Sequence, residues 1–190
     1  MDSINENTKQ IHISLEKPQK KMNVNDNRSI KPKEHKKRII TETSKWNFSQ
    51  DELLPETQFQ YIEQINNNTN IDSLPCKFIL QQIHQKIYGY KAQDKLKNKF
   101  IENQFVDMDK VIELMITCKN QCFYCKTNVH VLYEYVREPN QWSLERIDNN
   151  FGHNKNNVVI ACLNCNLHRR TMYYERFLFT KQLQIVKSDT

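Results

Sequence analysis

Two cysteine pairs with identical spacing constrain the fold of this chain more than any other feature of its sequence. Cys122 and Cys125 form the first pair, Cys162 and Cys165 form the second, and 36 residues lie between the pairs. Two residues between paired cysteines let both thiolates reach one ion from a tight turn or a first helical turn, and two pairs complete a tetrahedral four-thiolate set. The spacing therefore predicts a structural zinc site.

The alternatives to zinc are a redox-active motif and disulfide bonds. A redox motif would account for one pair, but not for a second pair with the same spacing. The first 30 residues lack the apolar segment of a signal peptide, and no stretch approaches the length of a membrane-spanning helix. We therefore expect an intracellular protein of the cytoplasm or nucleus, with reduced thiols and no membrane partner. Cys118 belongs to an apolar helical stripe and is expected in the core, whereas Cys76 is expected either to pack or to face water.

Length and charge predict one folded unit with a basic N-terminal arm. The chain has 190 residues, 38% of them hydrophobic, and a formal net charge of +6. Residues 1–45 carry eleven Lys and Arg against six Asp and Glu. We expect a disordered arm at 1–45, a helical region at 46–119, a zinc-binding module at 120–180 and a tail at 181–190. The basic run at 31–38 is a solvated tail, a phosphate-binding arm or a nuclear-import signal.

Apolar residues at helical spacing predict the elements that precede the zinc module. Ser73 is expected to begin a helix in which Ile79, Ile83 and Ile87 share one face until Gly89 interrupts it. A second, shorter stripe is predicted at Ala92, Leu96 and Phe100. Asp107 is expected to cap a third helix that leads to the first cysteine pair.

Strand and loop signals follow the first cysteine pair. Residues 129–136 and 141–147 are rich in β-branched and aromatic types and are expected to pair as a hairpin. A polar loop follows, in which Gly152 can adopt a positive φ, and then a helix to about Phe177. We expect an α+β fold, in which a helical N-terminal part precedes a zinc-stabilised treble-clef module.

Residues 122–170 resemble the zinc-containing branch of the HNH, or ββα-metal, endonucleases. In that family a CxxC pair precedes a hairpin ending in Asp-His, a loop with Asn, and a second CxxC followed by Asn or His. Here Asn157 stands five residues before Cys162, and Asn166 directly follows Cys165. Glu145 and Arg146 occupy the Asp-His positions.

The string Leu-Glu-Arg-Ile-Asp-Asn at 144–149 is similar to a variant of this motif found in phages and large DNA viruses. The resemblance covers about a quarter of the chain. It implies an HNH-type endonuclease that hydrolyses phosphodiester bonds in DNA, with RNA as an alternative substrate. Glu145 and Asn166 would hold a catalytic Mg²⁺ or Mn²⁺, and Asn157 would tie the loop by hydrogen bonds to backbone groups. Arg169 and Arg170, expected on one helical face, would bind phosphates.

The general base is not supplied by the family motif. Arg146 cannot activate water because its guanidinium stays protonated, but it can stabilise the charge that develops on the phosphate. His153 in the polar loop is the first substitute, Asp148 is the second, and hydroxide generated by the ion alone is the third. The alternative function is a catalytically inactive, zinc-stabilised nucleic-acid-binding module on the same scaffold.

Overall fold

The computed structural model describes residues 36–39 and 46–183, and these form an α+β fold. Their five α-helices and two strands are listed here in chain order: α1 Pro55–Asn66, α2 Leu74–Leu96, α3 Met108–Thr117, β1 Trp142–Arg146, β2 Val158–Cys162, α4 Leu163–Arg169 and α5 Tyr174–Gln182. A short 3-10 helix, Asp51–Leu53, precedes α1. Residues of both predicted regions, 46–119 and 120–180, belong to one compact unit.

Local signals define the helix starts as predicted. Ser73 is the N-cap of α2, and Pro75 lies in its first turn. Asp107 caps α3, and its Oδ1 accepts a hydrogen bond from the Lys110 backbone N–H at 3.0 Å. Gly89 does not interrupt α2, which continues through it to Leu96. Beyond Gly89 the helix still packs, since Tyr90 and Asp94 contact Leu144 and His153.

The core lies between the three long helices and the small sheet. Ile79 and Ile83 are fully buried, as the stripe on α2 predicts, and Cys76 is buried beside them. Cys118 packs against the same core. The second predicted stripe is wrong at Ala92 and Leu96, which are both exposed because the end of α2 extends beyond the core. In the described part of the chain, no helix combines the length and apolar character needed to cross a membrane.

The hairpin predicted from 129–136 and 141–147 is wrong. Strand β1 pairs antiparallel with β2, with Glu145 opposite Val159 and Trp142 opposite Cys162. The backbone N–H groups of Val131 and Leu132 instead donate to the Gln58 side-chain oxygen, each at 2.8 Å. A side chain of α1 thus takes the donors that a hairpin would use.

Part of the predicted basic arm lies against the module. Residues 36–39 are described, and Lys37 forms an antiparallel bridge with Tyr135. The Arg38 guanidinium lies over the Tyr133 ring at 4.2 Å and donates to Gln82 Oε1 at 3.2 Å. Disorder is therefore not found at these four residues. The predictions for 1–35, 40–45 and 184–190 lie outside the described residues.

The helix predicted to run to about Phe177 is divided in two. Helix α4 ends at Arg169, and Arg170 has a φ of 53°, which reverses the chain before α5 begins at Tyr174. Gly152 does not adopt the predicted positive φ. A Cβ at this position would lie 2.4 Å from the Lys99 carbonyl oxygen and 2.7 Å from Asp94 Oδ2. Close approach of neighbouring groups, rather than backbone conformation, is what requires glycine here.

Candidate functional site

The four paired cysteines converge on one point. The Sγ atoms of Cys122, Cys125, Cys162 and Cys165 all lie within 4.8 Å of one another. The Cys125 and Cys162 sulfurs are 3.8 Å apart, which matches the edge of a tetrahedron with metal–sulfur bonds of about 2.3 Å. The first pair sits in a turn closed by the Lys126 N–H, and the second pair spans the junction of β2 and α4. The four thiols could hold a metal such as zinc.

Electrostatics within the cluster favour a cation. Cys122 and Cys162 share a hydrogen bond between their sulfur atoms. This bond lowers the pKa of Cys122 and raises the pKa of Cys162. Burial and the neighbouring Cys122 raise the pKa of Cys165. Without a cation, the thiols therefore cannot all ionise together. A divalent ion would offset part of the charge of four thiolates, and four cysteine sulfurs are a ligand set that zinc ordinarily takes.

A cleft of about 580 Å³ is bounded by α2, β1 and α4, and Asn166, the residue after Cys165, is among the residues that line it. All the residues predicted to be catalytic line it, together with one predicted phosphate-binding residue: Glu145, Arg146, His153, Asn166 and Arg170. Asp148, the second candidate for the base, lines a different cavity, and its Oδ1 accepts from the Asn150 N–H at 2.8 Å.

Glu145 forms a buried ion pair with Arg169. The two residues are 5% and 2% exposed, and Arg169 also donates to the carbonyl oxygens of Arg146 and Ile147, each at 2.7 Å. Burial raises the pKa of Glu145, and the Arg169 charge opposes this shift. The predicted exposed position of Arg169 beside Arg170 is wrong, because α4 ends between the two residues. Arg169 is enclosed by protein acceptors, whereas Arg170 lines the cleft.

The hydrogen bonds of Asn166 determine which of its side-chain atoms is available. The Ser143 hydroxyl donates to the Ala161 carbonyl at 2.9 Å, so Ser143 Oγ acts as an acceptor toward Asn166. Asn166 Nδ2 donates to that Oγ at 3.1 Å and to the Leu144 carbonyl at 3.3 Å. The amide oxygen therefore remains for a cation or a hydrogen-bond donor in the cleft.

Asn157 makes the hydrogen bonds expected of a residue that ties the loop. Its Oδ1 accepts from the Asp148 N–H at 2.9 Å. Its Nδ2 donates to the carbonyl oxygens of Asp148 and Gly152, both at 2.9 Å. The loop between β1 and β2 is thus closed on itself by one side chain.

His153 is buried rather than carried on an exposed loop. It is 4% exposed, and its Nδ1 lies 2.9 Å from Oδ1 of the fully buried Asp94. The Tyr90 ring stacks on the imidazole with centroids 4.4 Å apart. Burial lowers the pKa of His153, and the Asp94 carboxylate partly opposes that shift. The imidazole occupies a defined position at the edge of the cleft.

Helix α2 supplies residues that sequence analysis missed. Lys86, Tyr90 and Asp94 recur every fourth residue and contact Trp142, Leu144 and His153, respectively. The Lys86 ammonium donates to the Trp142 carbonyl and lies 4.4 Å from the Trp142 ring centroid; burial lowers its pKa to about 7. The Tyr90 hydroxyl accepts from the Leu144 N–H at 3.0 Å. Polar side chains at every fourth position share one face of a helix, and this pattern on α2 could have identified the three residues from the sequence.

Comparison with known proteins identifies no relative: no family model, curated protein or solved structure matches this chain.

Proposed function

We propose that this chain is a metal-dependent endonuclease of the HNH type that hydrolyses phosphodiester bonds in DNA. The observation that carries the proposal is the convergence of Glu145, Arg146, His153 and Asn166 on one cleft beside the four-cysteine cluster. Phosphodiester hydrolysis requires oxygen ligands for a divalent ion, a proton acceptor and cations near the phosphate. The cleft contains a group suited to each task.

The order of elements also supports the proposal. Strand β1, strand β2 and helix α4 follow one another in the chain, with one cysteine pair before β1 and the other at the start of α4. This is the strand, strand, helix order of a ββα-metal module, and the four thiols would hold its zinc. We therefore interpret 120–180 as a zinc-stabilised HNH module of the treble-clef type.

The oxygen atoms available in the cleft suit a hard cation. Glu145 Oε1 accepts from Arg169, which orients the carboxylate, and Asn166 offers its amide oxygen. These two side chains would hold Mg²⁺ or Mn²⁺, which prefer oxygen ligands and would supply charge neutralisation at the scissile phosphate.

The remaining residues would handle the proton and the phosphate charge. His153 would accept the proton of the attacking water, and burial lowers its pKa, which favours the neutral form that a base requires. Arg146 and Arg170 are cationic at any physiological pH and would bind the phosphate oxygens on which charge develops. Arg169 would act only by orienting Glu145.

A second candidate function is nucleic-acid binding without cleavage. The observation that favours it is the buried pair of Glu145 and Arg169, because an arginine that neutralises the carboxylate competes with a metal ion for it. The usual catalytic histidine position is also occupied by Arg146. In this case the cations of the cleft would bind phosphate without hydrolysis.

Cleavage of supercoiled plasmid DNA with Mg²⁺ or Mn²⁺ tests the proposal. Asn166→Ala and His153→Ala should each lower the nicking rate by about 100-fold or more, because one removes an ion ligand and the other removes the base. Asn164→Ala and His168→Ala are matched controls on the exposed surface of α4 and should cleave at the wild-type rate.

Two results would count against this assignment of the cleft. Retained cleavage in both test variants would place the active site elsewhere. A wild-type protein that binds DNA but cuts none with either ion would favour the binding module.

A further inference from the structure

We propose that Asp94 is a positioning residue that keeps Nδ1 of His153 protonated, so that Nε2 faces the cleft as the proton acceptor. This inference rests on the proposed function for its catalytic consequence, and the tautomer itself can be measured without cleavage. Asp94 belongs to α2, 59 residues before His153 and outside the segment that resembles HNH endonucleases.

Both oxygens of the Asp94 carboxylate contact His153. Oδ2 accepts from the backbone N–H at 2.6 Å, and Oδ1 lies 2.9 Å from ring Nδ1. An ionised carboxylate can only accept hydrogen bonds, so the ring nitrogen that faces it must carry a proton. In the neutral imidazole, Nε2 is then the unprotonated nitrogen, and it is the nitrogen left for the cleft.

Packing and backbone hydrogen bonds around the pair hold His153 against Asp94. The Tyr90 ring stacks on one face with an interplanar angle of 29°. The His153 carbonyl accepts from the Val106 N–H at 2.9 Å, and the Gly152 carbonyl accepts from Asn157 Nδ2 at 2.9 Å. The backbone on both sides of the α carbon is thus held by hydrogen bonds. The bond from the His153 backbone N–H to Asp94 Oδ2 would suffice to tie the loop to α2. The bond between Oδ1 and ring Nδ1 is not needed for that purpose, and it is the one that selects the tautomer.

The charges around His153 determine the direction of the expected pH effect. Asp94 raises the pKa of the imidazole, whereas burial, Arg146 at the end of β1 and Lys97 just beyond α2 lower it. Tyr90 is the other titratable group packed on the ring. Glu145, Lys86 and Arg170 line the same cleft.

Asp94→Asn removes the one charge that raises the pKa of His153, and it nearly preserves side-chain shape. The pKa should therefore fall, and the rising limb of cleavage rate against pH should move to lower pH by about one unit. The asparagine can present either an oxygen or an NH₂ group to Nδ1, so the required tautomer is no longer enforced. We expect kcat on the plateau to fall by about 10- to 100-fold while KM changes little.

The experiment uses the full chain, supercoiled plasmid and Mg²⁺, with rates measured from pH 5 to 9. Asp72→Asn, an exposed aspartate on the same half of the chain, is the matched control and should leave the profile unchanged. The double variant Asp94→Asn/His153→Ala should be no slower than His153→Ala alone, because Asp94 acts through His153.

Nitrogen-15 chemical shifts of the His153 ring give a second readout that does not depend on cleavage. The wild-type protein should show Nδ1–H with an unprotonated Nε2 above the pKa of the ring, and Asp94→Asn should show a mixture of tautomers. A wild-type ring protonated at Nε2 would overturn the proposal even if the variant failed to fold. An unmoved pH profile in Asp94→Asn, with only a lower melting temperature, would reduce Asp94 to a structural tie.

The two proposals fail in different ways. A protein that cuts no substrate but shows the expected tautomer would contradict the nuclease and leave the positioning of His153 intact. Normal cleavage by His153→Ala would show that the pair of Asp94 and His153 has no role in catalysis.

Discussion

Replacing Gly152 by alanine should destabilise the protein by inserting one methyl group where two elements meet. The new Cβ would lie 2.4 Å from the Lys99 carbonyl oxygen and 2.7 Å from Asp94 Oδ2. The first of these atoms belongs to the backbone, and the second belongs to a fully buried carboxylate that is bonded to His153. The carboxylate cannot retreat without breaking its bonds to His153, and the carbonyl can move only with the backbone.

The magnitude follows from the groups that must move. Inserting a methyl group into a packed region costs about 1–3 kcal/mol, and a weakened hydrogen bond to a charged group costs about 1.5–3 kcal/mol. The lower entropy of the unfolded alanine chain offsets about 0.4–1 kcal/mol of this. We expect a net loss of about 3 kcal/mol, which for a chain of this length lowers Tm by about 6–12 °C.

Gly89→Ala is the matched control, because no atom lies within 4 Å of the Cβ it would introduce. Gly89 lies within α2, where alanine is favoured over glycine by about 1 kcal/mol, so this variant should be slightly more stable than the wild type. Urea and thermal unfolding followed by circular dichroism would measure both variants at equal zinc content. If Gly152→Ala proved as stable as Gly89→Ala, the close approach of Gly152 to Asp94 would be refuted.

The metal and the buried ion pair give further predictions. Elemental analysis should find one zinc per chain, chelation should lower the Tm because it removes the link between the two cysteine pairs, and serine at Cys76 or Cys118 should leave the zinc content unchanged. Folded protein without zinc would contradict this. Arg169→Met should cost about 3–5 kcal/mol in urea denaturation by leaving the Glu145 charge buried alone. Glu145→Leu/Arg169→Met should recover most of that loss, and wild-type stability in the single variant would show that the pair is not needed.

Features that depend on a few neighbouring residues could be predicted from the sequence. Asp107 begins α3 because capping involves only the next three residues, and α2 begins after Ser73 because Pro75 is favoured in a first helical turn. The convergence of the two cysteine pairs follows from their spacing, since each pair approaches the metal position from one local turn. The loop-tying role of Asn157 is likewise confined to residues of its own loop.

Features that depend on residues distant in the chain could not be predicted from the sequence. Residues 129–136 have strand composition, yet Gln58 takes two of their backbone donors from more than seventy positions earlier. The burial of His153 depends on Asp94, and the burial of Arg169 depends on Glu145 and on the end of α4. Periodicity predicted the apolar face of α2, and the polar residues at every fourth position also share a face, but their partners more than fifty positions later could not be predicted from the helix itself.

The four-residue repeat of α2 makes the geometry of the cleft depend on helical register. Lys86, Tyr90 and Asp94 advance by about 40° per step, because four residues exceed one turn of 3.6. Inserting or deleting a single residue between Tyr90 and Asp94 would rotate the carboxylate by about 100° and carry it away from His153. Length variation would therefore be better tolerated before Leu74 or after Leu96 than within the helix. A change that preserves every side chain of the cleft could still dismantle it by shifting the phase of one helix.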